Sequence, residues 1–301
     1  MPGMGKSRLR ADVDIFCFIK REGDGVPETT EQNAAKKLES LQYAEEKMES
    51  PPYAEQNQQL VKELVRYDRQ LKLLGREGQR KLKEAAVMVA GIGGLGGTAA
   101  LYLAAAGIGK LILAHEGIIR LPDLNRQILM DSARVGEERM TAAVESLKRV
   151  NPEVIIEGHN ARITLAESGP WVRAADIVID ARYDFPERYA LNRLCVAAGR
   201  PLVEAAMYGF EVSLTTIVPG ETPCLACLYP ERPQEWEPLG FPVLGATAGL
   251  AGCLAALEAV KWITGVGRPF INVMHRINTL NMSNYTVSLR CNPDCECCSN
   301  V

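Results

Sequence analysis

Neither sign of charge dominates this 301-residue sequence: 34 Lys and Arg stand against 37 Asp and Glu, a net charge of −3. A dedicated nucleic-acid binder carries a basic face, so the balance argues against that class. Like-charge runs are short and 47% of the residues are hydrophobic, which excludes disorder over most of the chain. No apolar stretch reads as approaching the roughly 20 residues of a membrane span. The N-terminal MPGMGKSRLRADVD has no apolar signal core. The expectation is a cytoplasmic protein with no membrane and no nucleic-acid partner. Against these absences stand nine cysteines. In a reducing compartment they read as thiols or metal ligands rather than disulfides.

The chain divides unevenly. Residues 1–58 hold eight basic and eleven acidic residues, the whole net charge, whereas 59–301 balance at 26 against 26. DIFCFIK (14–20) suits one short strand. Residues 31–66 are polar and helix-permissive, broken at Pro51-Pro52. Residues 1–58 are therefore read as an N-terminal helical appendage of unknown role, and 59–301 as the main domain. In that domain apolar strand-like runs at 87–93, 111–116, 154–163 and 176–181 alternate with helical stretches at 98–109, 137–150 and 189–199. PLVEAA and VSLTTIVPG (201–220) add strands, and 241–265 is a long apolar helical region. Alternating strand and helix imply an α/β fold with a doubly wound, mostly parallel, Rossmann-like sheet.

Gly91, Gly93 and Gly96 form G-x-G-x-x-G between the first strand and its helix, with Gly94 and Gly97 beside them. Such glycines permit a tight turn and close approach of backbone to phosphate at a helix N-terminus. A nucleotide is the expected ligand; a purely structural turn is the alternative. An acidic residue at the end of the second strand would hold a ribose, and Glu116 is the candidate, against a plain solvent-exposed Glu.

Cys224-Leu-Ala-Cys227 and Cys295-Glu-Cys297-Cys298 contain two C-x-x-C pairs, Cys224/Cys227 and Cys295/Cys298. Four thiolates suit a tetrahedral Zn²⁺ with no open position, a structural site that clips the C-terminal portion to the sheet; redox dithiols or a disulfide are the alternatives. Cys291 and Cys297 are substitute ligands. Cys195 and Cys253 read as buried hydrophobes, and Cys17 has no reading. The loop 120–139 gathers Asn125, Arg126 and Gln127 at the edge where doubly wound sheets bind ligands, and Arg126 and Arg139 are candidate phosphate partners.

Residues 67–301 resemble the ThiF/MoeB/HesA adenylyltransferases, relatives of the ubiquitin-activating enzymes. The resemblance rests on YDRQ (67–70), AGIGGLGG (90–97), LNRQIL (124–129), VG (135–136), NPE (151–153), PCLACL (223–228) and NPDCECC (292–298). It implies adenylylation of a carboxylate by Mg·ATP with release of pyrophosphate, by a homodimer with a four-Cys zinc site. The acid would be a sulfur-carrier protein C-terminus, a peptide or a small molecule. It further implies that the glycine loop receives the ATP phosphates, that Arg126 and Gln127 flank the α-phosphate, and that Arg69 reaches the partner subunit's nucleotide. Three positions depart from the family pattern. His115, beside Glu116, stands where the ribose aspartate is expected; Arg139 replaces a lysine; and Tyr183 replaces the metal aspartate in Asp180-Ala-Arg-Tyr183-Asp184. Asp184, with Asp180, is the substitute Mg²⁺ ligand on chemical grounds. A nucleophilic cysteine is missing from 228–247, which excludes a thioester formed there. The competing readings are a catalytically weak ATP-binding scaffold and a nicotinamide oxidoreductase.

Overall fold

A computed structural model describes residues 65–230 and 240–299, all within the unit Val65–Val301. The appendage 1–58 and its strand at 14–20 lie outside the described residues, as does all but the end of the helical stretch 31–66. The elements are α1 (Asp68–Glu84), β1 (Ala86–Ala90), α2 (Gly94–Ala106), β2 (Lys110–Ala114), α3 (Arg139–Val150), β3 (Ile155–His159), α4 (Gly169–Arg173), β4 (Ile177–Asp180), α5 (Phe185–Ala198), β5 (Leu202–Tyr208), β6 (Glu211–Ile217), α6 (Leu225–Leu228), α7 (Gly245–Thr264), β7 (Val273–Asn278) and β8 (Ser283–Ser288).

One eight-stranded sheet runs in the order β3-β2-β1-β4-β5-β6-β7-β8. Its first five strands are parallel, and β5 to β8 pair antiparallel. The parallel part explains the unbroken apolar runs. In β1, Val87 and Val89 join a core beneath α2, α3 and α7, while Met88 and Ala90 face a second core beneath α5 and α6. A strand covered on both faces has no solvent side to carry polar residues. Each fully buried aliphatic side chain contributes about 1.5–3 kcal/mol, and β1, β2 and β4 are almost wholly buried.

Two sequence expectations change. A span-length apolar stretch does exist: α7 has 20 residues of mean hydropathy 1.3. It packs against α2 and against β4, β5 and β6, and 44% of its most apolar 18-residue window is buried. A Cβ at Gly252 would stand 2.3 Å from the Leu95 carbonyl oxygen, so its glycine lets α2 and α7 touch backbone to backbone. Strands β7 and β8 were also not anticipated. Every residue of β8 is exposed, and Tyr285 and Val287 are its only large apolar side chains.

The signature residues Tyr67 and Asn151 are structural. Asn151 Nδ2 donates to the Tyr67 hydroxyl (2.9 Å) and to the Ala104 carbonyl (2.8 Å), tying the start of α1 and the end of α3 to the end of α2.

Candidate active site

Strand β1 ends at Ala90 and α2 begins at Gly94, so the chain must turn within three residues. Gly91 takes φ +100°, and a Cβ there would stand 2.5 Å from the Ala181 carbonyl oxygen; a Cβ at Gly96 would stand 1.8 Å from the Gly91 oxygen. These two glycines close the turn. Gly93 and Gly94 instead line an open cleft. Gly93 caps α2 with no side-chain hydrogen bond, which leaves first-turn N–H groups and the positive dipole end for an anion.

The cleft, about 810 Å³, extends from this loop past β4 to the β5–β6 hairpin and Gly240–Val243. Five arginines line it: Arg126, Arg139, Arg182, Arg188 and Arg276. Asp123 organises its near end. The Asp123 carboxylate accepts from the Arg120 amide (3.0 Å), Gln127 Nε2 (3.1 Å), Arg126 Nη2 (3.3 Å) and Arg139 Nη2 (2.9 Å). Arg126 Nη1 also donates to the Pro122 carbonyl and Asn125 Oδ1.

His115 lies between the loop and Arg139. Its Nδ1 accepts from the Ile92 amide at 2.8 Å, and Arg139 Nη1 lies 2.5 Å from its Nε2. Burial, then the charges of Arg182 and Arg139, hold this imidazole well below its usual pKa, so it is neutral. A neutral ring offers one acceptor nitrogen, yet two donors converge on it.

Beyond β4, Arg188 binds Asp180 Oδ2 (2.9 Å) and Glu204 Oε1 (2.5 Å); all three are buried. Burial pushes the Glu204 carboxyl up, against the pull of Arg188. Gln127 Oε1 and the Nε atoms of Arg139, Arg182 and Arg276 are buried without a hydrogen-bond partner, and all four residues line the cleft. An unpaired buried donor costs about 1–3 kcal/mol, and three such guanidiniums around one cavity fit an anionic ligand such as ATP.

Comparison with known proteins matches the ThiF family model to residues 67–298. The chain belongs to the ThiF family. It is 48% identical over 240 residues to Protein HesA of Leptolyngbya boryana, covering 79% of this chain and 86% of that one. It is 37% identical over 243 residues to the adenylyltransferase and sulfurtransferase MOCS3-1 of Zea mays, covering 78% of this chain and 52% of that one. Escherichia coli MccB with ATP has the same fold, with TM-score 0.68 and 24% identity over 77% of this chain and 73% of that chain. MccB with AMPCPP and MccA gives 0.68 and 24% over 83% and 82%. As a ThiF-family protein the chain is an ATP-dependent adenylyltransferase.

Within this ThiF-family site, Gly93, Gly94, Asn125, Arg126, Gln127 and Arg139 line the cleft, and Gly91 and Gly96 shape it from below. Glu116 is exposed, does not line the cleft and faces Arg162 Nε at 3.7 Å. Arg69 lies exposed on α1, away from the cleft of its own chain. Asp184 is the N-cap of α5: Oδ1 accepts from the Glu187 amide (3.0 Å) and Oδ2 from Arg162 Nη2 (2.6 Å). Sequence reasoning missed Asp123, Arg182, Arg188 and Arg276. The Asp184-Phe185-Pro186-Glu187 string carries a legible helix-start signal, with a capping Asp, an early Pro and Glu at the third position.

Fit for Mg²⁺ is poor. A hard cation needs free carboxylate oxygen. Among the described residues, Asp123 is engaged by four donors, Asp180 is fully buried and shared by Arg188 and the Arg182 amide, and Asp184 is occupied as a cap. Glu211 lines the cleft, but its register partner Tyr208 is four residues past Glu204, the partner of Asp180. That is about 13 Å beyond the end of β4. No step of the chemistry is therefore routed through a protein-held metal.

The cysteine cluster fits a different ion. The ligand sulfurs of Cys224, Cys227, Cys295 and Cys298 lie within 4.8 Å of one another, with Cys224–Cys295 at 3.7 Å and Cys227–Cys298 at 3.5 Å. Tetrahedral zinc with Zn–S near 2.3 Å requires sulfur separations of about 3.8 Å. Cys291 is exposed, and Cys297 accepts from Asn192 Nδ2 (3.2 Å). The hydrogen bond of the Cys297 thiol holds Cys224 down, to about 4, whereas burial raises Cys227 and Cys298, so a bound metal would have to displace their protons.

Proposed function

We propose that this enzyme activates the C-terminal carboxylate of a sulfur-carrier protein or peptide, with a small-molecule acid as the other candidate, and works as a cytoplasmic homodimer. A carboxylate oxygen attacks the α-phosphorus of ATP, the bond to the β-phosphate oxygen breaks, and pyrophosphate leaves with that electron pair. The product is an acyl-adenylate. Negative charge accumulates at phosphorus, so preorganised donors there lower the barrier. The glycine loop with the α2 N-terminus receives phosphate, Arg126 and Gln127 flank the reacting phosphorus, and Arg139 acts with them. Arg69 enters the partner subunit's cleft. Zn²⁺ at Cys224, Cys227, Cys295 and Cys298 holds the fold and takes no part in the reaction.

The observation that carries this reading is the single cleft joining the anion loop to the β5–β6 hairpin. Its middle is lined by Ala205, Ala206 and Gly240, whose small side chains leave room for an extended tail. MccB solved with MccA, and with a nucleotide, supports a peptide acid. The saturated carboxylates and Tyr183 favour a second reading, a slow ATP-binding relative. ATP–pyrophosphate exchange decides between them. Exchange stimulated by a carrier or peptide C-terminus, and abolished by amidating that terminus, is the expected result. ATP binding with no exchange for any acid would leave the second reading.

A further inference from the structure

The phosphate end of the cleft holds no free carboxylate among the described residues but does hold an arginine with unused donors. Arg182 follows β4 directly, and its Cδ lies 3.3 Å from where a Cβ on Gly91 would stand. Its Nη2 donates to Glu187 Oε1 at 2.5 Å, while Nε is buried and unpartnered. Its charge also reaches His115, on the other side of the loop. Tyr183, the next residue, is 53% exposed and offers a phenol hydroxyl in place of a carboxylate.

We propose that Arg182 is a phosphate-binding residue that meets the charge of the bound triphosphate where a protein-held Mg²⁺ would otherwise stand. This rests on the adenylyltransferase reading above and deepens it. A guanidinium has several donors in a fixed plane and binds phosphate oxygens in pairs. Glu187 pins Nη2 and sets the plane; the donors of this cleft-lining guanidinium that Glu187 does not take remain for the ligand. Glu187 is itself held by the Ile163 amide (2.8 Å) and by Arg162 (3.1 Å), so replacing Arg182 does not leave a buried carboxylate without a cation. Any Mg²⁺ then arrives and leaves as a counter-ion of the nucleotide, without a carboxylate anchor from the described residues.

The test is calorimetric titration of ATP into the full-length protein, once in excess Mg²⁺ and once in EDTA. The expected Kd values agree within about threefold, and Arg182→Ala weakens binding about tenfold in both buffers, as loss of a charged phosphate contact does. Arg182→Lys is expected to recover much of that loss, which separates lost charge from lost fold. Tyr183→Asp installs a carboxylate beside the loop and is expected to make binding Mg²⁺-dependent. Wild-type binding more than about thirtyfold weaker in EDTA, or Arg182→Ala binding ATP as the wild type does, overturns the proposal alone. Absence of ATP binding in both buffers overturns the nucleotide reading and this proposal with it.

Discussion

The arginine cleft and the cysteine cluster are both assembled from distant segments, and they are built in opposite ways. In the cluster, Sγ atoms from α6 and the C-terminal turn converge with separations of 3.5 and 3.7 Å, and every donor points inward. In the cleft, five arginines surround open space, and buried nitrogens of Arg139, Arg182 and Arg276 have no partner. A closed donor set spends its interaction energy on the fold, whereas an open one reserves it for a ligand.

Substitutions sharpen that contrast. The largest effect is expected at the cluster. Cys224→Ser removes a ligand, and structural zinc is worth roughly 10–16 kcal/mol in small zinc-finger peptides. A fall in zinc content by elemental analysis and a Tm lower by more than about 10 °C are expected. ATP affinity of the still-folded fraction is expected to be unchanged. A cluster that shaped the cleft would lose both together.

Asp123→Asn comes next, because it strips the shared counter-charge from Arg126 and Arg139. Removing one partner of a buried pair costs about 3–5 kcal/mol, measurable by denaturant unfolding. Pyrophosphate exchange is expected to fall by about a hundredfold as the arginines lose their orientation. Full exchange in a destabilised variant would mean that Asp123 serves the fold alone.

His115 gives a smaller, pH-dependent effect. An unfolded imidazole titrates near pH 6.5, whereas the native one is held well below that by burial and two arginines. Between those values the unfolded chain binds a proton that the native chain refuses. Stability therefore falls as pH drops below about 6.5, by up to about 1.4 kcal/mol per unit, until the native pKa is reached. In His115→Gln this slope is expected to be lost, so it appears as the pH-dependent difference between the wild-type and variant unfolding curves. The smallest effect lies outside both regions. Arg80 pairs with Glu77 and Glu84 on the exposed face of α1, and Arg80→Ala is expected to leave Tm and ATP binding unchanged in 0.15 M salt.

The glycine turn and the cysteine pairs are legible because their constraints are local. A positive φ at Gly91, or two thiols three residues apart, can be read over a few letters. Asp184 was legible too, but as two things at once, a carboxylate near the metal position and a helix cap. The cap prevails because the Glu187 amide is three residues away, and Arg162 takes the remaining oxygen. Strand β8 is wholly exposed and β7 only partly buried, so neither carries the continuous apolar run that marks the parallel strands.

Sequence alone thus determined the family, the doubly wound, mostly parallel sheet, the glycine turn and the four convergent thiols. Tertiary structure decided which charged groups remain free. Asp123 meets Arg139 across 16 residues, Asp184 meets Arg162 across 22, and Arg188 meets Glu204 across 16. A carboxylate's availability depends on which donors fold against it, and spacing along the chain does not encode that. The same letters that read as a metal site became, once folded, a set of satisfied acids and unsatisfied arginines.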